Sequence, residues 1–419
     1  MPLALISSTA DHISTFTLLA IRARRKWCPC ALAILLALVA VPPSAQGQTL
    51  TTLYSFTSGA DGKDPNAGVV RDAAGNLYGT TPYGGKKRCP LGCGTVFKLD
   101  ATGKETLLHS FNGATDGSSP IGGLIRDSQG NLFGTASLGG HFKVGTVFKV
   151  DSTGLFSVLY SFTGGSDGAQ PQAALLRDAQ GNLYGTTFFG GDLTCNSSGG
   201  CGTVFKLDST GKETVLHTFT GGLDGKFPQA GLIRDAAGNL FGTTTSGGGG
   251  GGGACGNNGC GTVFEVDSTG NETVLHSFAG GDGATPFAGL LVDGAEFYGA
   301  TAGGGAFGFG TVFKLDKTGN QTVLYSFAGG SDGASPFGTL IHDAAGNFYG
   351  TTDGYGAFAL GTVFKLDKTG KETVLHSFTG GADGIFLNGS LVQAPEGNLY
   401  GTTESSGAFG FGTVFKLAP

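Results

Sequence analysis

One heptapeptide, GTVFKLD, recurs with small changes seven times, beginning at Gly94, Gly145, Gly202, Gly261, Gly310, Gly361 and Gly412. Two other elements keep step with it. GNLYGTT and its variants begin at Gly75, Gly130, Gly181, Gly238, Gly294, Gly346 and Gly397. An LHSF or LYSF element ends at Phe56, Phe111, Phe162, Phe219, Phe278, Phe327 and Phe378. Successive GNLYGTT copies lie 51 to 57 residues apart. A period of this length marks supersecondary units that cannot bury both faces alone and must stack on their neighbours.

Each unit reads as four short strands. AGLIRD is turned by DAAGN into NLYGTT, a glycine-rich loop leads to GTVFKLD, and DSTGK turns that into ETVLHSF. The runs are rich in Val, Leu, Phe, Tyr and Thr, and the turns carry Asp, Asn and Gly, which accept tight-turn dihedrals. No sustained 3.6-residue apolar period follows residue 47, so the expected class is all-β. Glycine supplies 80 of 419 residues without a Gly-X-Y period, which excludes collagen. The ends sharpen the architecture. The repeats open with a lone fourth strand, TLTTLYSF, and close with three strands ending in GTVFKLAP. The expectation is a seven-bladed β-propeller of four-stranded blades, its ring closed by the N-terminal strand completing the last blade. A solenoid would need atypical capping repeats at both ends.

Residues 1–47 read as a signal peptide. IRARRKW is basic, CALAILLALVAV is an apolar run too short for a comfortable membrane span, and PPSAQGQ is a small-residue exit. Residues 48–419 then form a single propeller domain. Removing 1–47 takes away four of 25 cationic and one of 31 acidic residues, leaving a net charge of −9. That surface repels nucleic acid and anionic membranes. With no second hydrophobic segment, the expectation is a monomer without a membrane anchor, secreted to the extracellular space or held in the periplasm.

GLIRDAAGNLFGTT at 231–244, GCGTVFKLD at 92–100 and TGKETVLHSF at 369–378 together resemble the Gloeo/Verruco (GloVer) tandem repeat of exported bacterial proteins. The resemblance spans residues 49–419, and the strand layout is similar to NHL-type propeller blades. The family is defined by its repeat, so the resemblance implies fold and export rather than a reaction. Blade five departs from it, with VDGAEFYGAT in place of RDAAGNLYGTT.

Antiparallel order sorts the loops. The connections after second and fourth strands open on one face and carry all the length variation, while the two tight turns lie on the other. Variable loops on a rigid scaffold are where binding resides. Six cysteines fall there as local pairs, Cys89/Cys93, Cys195/Cys201 and Cys255/Cys260, and in an exported chain they read as disulfides. Zinc would need about four ligands at one place, and each pair supplies two without a histidine. The other blades carry Val144, Phe309, Leu360 and Phe411 before GTVF, with Phe142, Phe307, Phe358 and Phe409 two residues earlier. These pairs are expected to replace the staples by apolar packing.

An Asp-Gly aspartate recurs in every unit, at Asp61, Asp116, Asp167, Asp224, Asp282, Asp332 and Asp383, and is expected to ring the channel mouth. The plainer reading is a turn whose carboxylate binds backbone N–H groups; the sharper one is oxygen ligation of a Ca²⁺-like cation. No other metal or cofactor is expected. His109, His217, His276 and His376 alternate with Tyr54, Tyr160 and Tyr325 in the fourth strand and read as packed residues with one polar tip. Tyr83, Phe188, Phe189, Phe227, Phe287, Phe337, Tyr355 and Phe386 are candidate ligand-face aromatics. The leading functional expectation is a non-catalytic binding or scaffold module for polysaccharide or protein. The alternative is an exported lactonase-like or carbohydrate-active hydrolase or lyase, with acids near the channel. A cluster of ionisable residues breaking the sevenfold symmetry around the channel would separate the two, and the sequence offers none that stands out.

Overall fold

The computed structural model describes residues 48–195, 199–249 and 255–418. The signal-peptide reading of residues 1–47 and glycines 250–253 fall outside them. Seven four-stranded antiparallel sheets make up the described chain. In blade 1 the strands are Val70–Arg71, Leu77–Thr81, Thr95–Leu99 and Glu105–Ser110, in that spatial order. Blade 7 is completed from the other end of the chain: Thr49–Ser55 pairs with Thr413–Ala418, Thr49 opposite Ala418 and Ser55 opposite Thr413. The sequence-derived propeller and its closure are therefore the observed ones. No helix among the described residues is long and apolar enough to cross a membrane.

The third strand explains why TVFKL is repeated so faithfully. Thr95, Val96, Phe97 and Leu99 are all buried, and the equivalent residues are buried in every blade. Phe97 lies across from Gly79 of the second strand. A Cβ on Gly79 would sit 2.6 Å from the Phe97 ring, so the aromatic occupies the space that glycine leaves. Beside it, Thr81 and Thr95 share a hydroxyl hydrogen bond of 2.8 Å.

Blades are joined by contacts just as regular. Arg71, Arg126, Arg177 and Arg234 lay their guanidinium groups 5.5–5.8 Å from the ring of Tyr400, Tyr78, Phe133 and Tyr184 in the preceding blade. Where the arginine is replaced by Val292 or His342, the blades pair aromatics instead, Phe241 with Phe297 at 4.7 Å and Tyr298 with Phe348 at 4.5 Å. Blade 5 absorbs its departure by lengthening its first hairpin to Leu291–Asp293 and Glu296–Thr301, and Glu296 forms an ion pair with Lys314 at 3.1 Å.

On the tight-turn face the aspartates cap the turns. Asp72 accepts from the backbone N–H and side-chain amide of Asn76, both at 2.8 Å. Asp100 accepts from the Thr102 hydroxyl at 2.7 Å and the Lys104 N–H at 3.0 Å. These bonds hold both carboxyls below the usual carboxylate range.

Candidate functional site: the axial cavity

All three cysteine pairs are disulfides, Cys89–Cys93, Cys195–Cys201 and Cys255–Cys260, with Cα–Cα separations of 5.1, 5.9 and 5.3 Å. Such bonds belong to an oxidising, extracytoplasmic compartment. All three pairs lie in the loop between second and third strands, and the two members of each pair differ in depth. Cys93, Cys201 and Cys260 are fully buried and belong to the hydrophobic core clusters, whereas Cys89, Cys195 and Cys255 are half-buried against them. The reason is their place in the chain. Each stands two residues before the third strand begins, and the Cys93, Cys201 and Cys260 carbonyls accept from Ser119, Phe227 and Thr285 of the following blade at 2.8–3.0 Å. Each disulfide therefore closes a short loop and ties its base to the core, and Cys93, Cys201 and Cys260 offer no surface to a ligand.

In the unstapled blades only half of the expected replacement is present. Val144, Phe309, Leu360 and Phe411 take the place of the buried cysteine and pack against the core clusters. Phe142, Phe307, Phe358 and Phe409 do not; they are 50–61 % exposed, because the loop turns outward before reaching the buried position.

The Asp-Gly aspartates do not line the axial cavity. Their carboxylates turn back toward the outermost strand, where loop N–H groups and the Tyr or His tip of that strand donate to them. Asp61 accepts from Thr57 N–H at 2.7 Å, Gly59 N–H at 3.0 Å and Tyr54 OH at 3.1 Å. Tyr160 and Tyr325 donate in the same way to Asp167 and Asp332 at 3.0 Å. His109, His276 and His376 lie 3.0, 2.8 and 3.3 Å from Asp116, Asp282 and Asp383, and His217 lies 3.6 Å from Asp224. Tyr and His interchange here because either can place one hydrogen on a loop-capping carboxylate. Among the described residues, no group of three His, Cys, Asp or Glu side chains is placed to hold a metal ion.

The axis of the ring is occupied instead by a cavity of about 580 Å³, lined from all seven blades by the segment before each first strand. The middle threonine of each GTT positions that segment by bonding the next blade's copy. Thr135 reaches the Ala173 carbonyl at 3.0 Å, Thr351 reaches Gly389 at 3.2 Å, and Thr402 closes the ring onto Ala67 at 2.9 Å. Small residues such as Ala67, Gly68, Ala173 and Gly389 keep the cavity open.

The lining breaks the sevenfold repeat sharply. One position in each segment carries, in blade order, Asn66, Ile121, Gln172, Gln229, Phe287, Phe337 and Asn388. Phe287 and Phe337 stack with centroids 4.7 Å apart, and Gln229 donates to Gln172 at 2.6 Å. The residue following GTT runs Pro82, Ser137, Phe188, Thr245, Ala302, Asp353 and Glu404, acidic in the last two blades alone. Glu404 accepts from Asn388 at 2.7 Å and Asn66 at 3.4 Å. Burial, followed by the charges of Asp353 and Asp64, nevertheless holds its carboxyl above the usual range. Asp353 lines the cavity with its Oδ1 buried and without a hydrogen-bond partner, and burial raises its carboxyl too. Asp64 is also raised by burial, against the opposing pull of Lys63 at 3.7 Å. One arc of the lining thus reads aromatic pair, Asp353, Asn388, Asn66, with Glu404 bonded to the two asparagines.

Of the candidate aromatics, Phe287 and Phe337 reach this cavity. Phe188, Phe189 and Phe227 form a separate cluster with centroids 4.6–5.7 Å apart. Tyr83 lies under Lys63 at 5.7 Å, Tyr355 packs edge-on to Phe309 at 5.0 Å, and Phe386 is 40 % exposed. Asp353, Glu404 and the four amides went unnoticed in the sequence. Their signal was available there, as a carboxylate in two of seven aligned copies.

Among solved structures, the extracellular domain of a protein named as a one component system from B. thetaiotaomicron superposes with a TM-score of 0.56 at 10 % identity. The match covers 88 % of this chain and 40 % of that one, so this chain spans less than half the length of that relative. A protein named as a 6-phosphogluconolactonase from Bacteroides uniformis gives a TM-score of 0.47 at 14 % identity, over 74 % of this chain and 84 % of that one. One named as a gluconolactonase gives 0.45 at 12 % identity, over 89 % and 92 %. At these identities the likeness concerns the fold alone. No curated protein sequence matches. The Gloeobacter/Verrucomicrobia repeat matches residues 43–196 and 252–419, well over half of the sequence, and with the seven blades built from that repeat the chain belongs to this family.

Proposed function

We propose that the axial cavity takes a polar, ring-shaped ligand of sugar size and that Asp353 and Glu404 act on it, making the protein an exported lactonase-like or carbohydrate-active hydrolase. One observation carries this reading: the acidic pair stands at a position where five other copies of the repeat carry no charge. A scaffold has no use for a desolvated carboxyl on the cavity wall with a second one bonded to the wall's asparagines, whereas acid–base chemistry needs them. Asp353, with a bare buried oxygen, is the group suited to carry a proton to a leaving oxygen. Glu404, oriented by Asn388 and Asn66, is the carboxylate suited to activate water. The stacked Phe287 and Phe337 offer a face to the ring of the ligand, and Gln172 and Gln229 offer amides to its hydroxyls.

A second reading, a polysaccharide-binding module, draws on the exposed Phe307, Phe358 and Phe409 in neighbouring blades. One experiment separates them. The mature protein is assayed against panels of lactones and glycosides, with binding to the same compounds measured by calorimetry. The hydrolase reading expects turnover that falls at least about 100-fold in Asp353→Asn and Glu404→Gln while binding survives. Binding without turnover in the wild type selects the second reading, and neither binding nor turnover overturns both.

A further inference from the structure

At the start of the fourth strand the repeat reads Leu50, Glu105, Phe156, Glu213, Glu272, Gln321 and Glu372, counting from the closing strand. Each packs at the junction with the preceding blade. The glutamine shows what the position asks for. Gln321 donates its side-chain N–H to the backbone carbonyl of Asp282 at 3.1 Å. A carboxylate in the same place would turn an acceptor toward an acceptor. Yet four copies are glutamate, and each has its Oε1 buried without a hydrogen-bond partner.

We propose that Glu105, Glu213, Glu272 and Glu372 are held as neutral carboxylic acids between blades, so that four of the seven junctions are closed by a proton and loosen as pH rises. The groups facing each glutamate make ionisation costly. Glu105 faces Asp61 and Tyr54, Glu213 faces Asp167 and Tyr160, and Glu372 faces Asp332 and Tyr325. None of these is a cation. Glu272 alone meets a basic side chain, His217, alongside Asp224. Burial comes first among the causes that raise all four carboxyls, reaching about 7 for Glu213 and Glu372. The remaining junctions are silent to protons at this position: Phe156 stacks on His109 at 3.6 Å, Gln321 is bonded, and Leu50 is apolar.

The sign follows from the direction of the shift. A carboxyl raised in the folded chain stabilises it below the ordinary glutamate range and loses that contribution as pH climbs through the folded value. The propeller is thus built for mildly acidic surroundings, with its junctions at 7/1, 2/3, 3/4 and 5/6 weakening first in alkali.

Thermal melting of the wild type and of Glu105→Gln/Glu213→Gln/Glu272→Gln/Glu372→Gln tests this. Between about pH 5 and about pH 8.5 the wild-type Tm is expected to fall by roughly 5 °C, and the quadruple variant to lose at least about half of that drop and melt above the wild type in alkali. Infrared spectra should show a protonated-carboxyl band in the wild type that shrinks over the same range and is markedly weaker in the variant, where Asp353, Glu404 and Asp64 alone of the raised carboxyls named above remain. Equal pH slopes in the two proteins, or a wild-type Tm that does not fall, overturn the proposal. If the quadruple variant does not fold, the single variants Glu213→Gln and Glu372→Gln, each copying Gln321, decide the matter by the same reading.

Discussion

Asp343 and Asp353 stand ten residues apart at opposite ends of one strand, Phe348–Thr352 of blade 6, and their carboxyls are driven in opposite directions. At the tight turn, Asp343 receives the N–H groups of Ala345 and Asn347 at 2.9 Å, the Asn347 amide at 2.8 Å and the Tyr349 hydroxyl at 2.9 Å. Those donors outweigh its burial and bring it down to about 2. At the cavity, Asp353 has an oxygen with no donor, and burial alone pushes it up. The turn aspartate recurs in five blades because each of those five-residue turns needs its cap. The cavity aspartate does not recur, and nothing in the blade's own folding calls for it. Fidelity to the repeat therefore marks folding chemistry, and departure from it marks the place to look for function.

The strand between the two aspartates is where the comparison can be broken most severely. Gly350→Val would drive a side chain into the Phe364 ring, which already lies 2.6 Å from an added Cβ, and into Leu340 at 3.0 Å. Overpacking of this kind costs about 3 kcal/mol and should displace both ends of the strand together, seen as a large drop in Tm with loss of any cavity ligand binding.

Asp343→Ala comes next, since it strands the donors of one turn while leaving the cavity untouched. The expected loss is about 2 kcal/mol by chemical denaturation, with ligand binding unchanged. Because the folded carboxyl is depressed to about 2, its contribution is present above the ordinary aspartate range and fades as pH falls toward that value. The variant should show a shallower loss of stability in acid than the wild type, whereas an unchanged acid limb would mean that the turn bonds do not form in solution.

The sequence made the turn end of this strand legible and left the cavity end obscure. Asp72, Asp127, Asp178, Asp235 and Asp343 all precede a Gly-Asn turn, so the capping role could be read five times over. The ring closure was equally plain, because a lone fourth strand and a three-stranded remainder fit one blade. The cysteine pairing was legible from spacing, but the depth of Cys93, Cys201 and Cys260 was not, since it is set by where the loop meets the sheet. The cavity wall is written once. Asp353, Asn388 and Glu404 come from the adjacent blades 6 and 7, and Asn66 joins them only through closure of the ring, where Glu404 of blade 7 accepts from Asn66 of blade 1. The Asp-Gly aspartates, absent from the cavity lining, bond instead to the outer strand for a related reason. Their position before the innermost strand was visible, but the bond each carboxylate makes to Tyr54 or His109, seven residues back in the outer strand, was not.

The smallest expected effect on stability falls on the residue given the largest role. Asp353→Asn keeps the shape of the side chain and removes a charge that burial disfavours, so stability at neutral pH should stay within about 0.5 kcal/mol of the wild type or rise slightly. Its pH dependence should run opposite to that of Asp343. A raised carboxyl contributes below the ordinary aspartate range and loses that contribution as pH climbs, so the variant gains on the wild type toward neutrality. A clear loss of stability in Asp353→Asn would instead make this carboxylate a structural member of the blade, equivalent to Asp343, and would remove the reason for seeking function at its end of the strand.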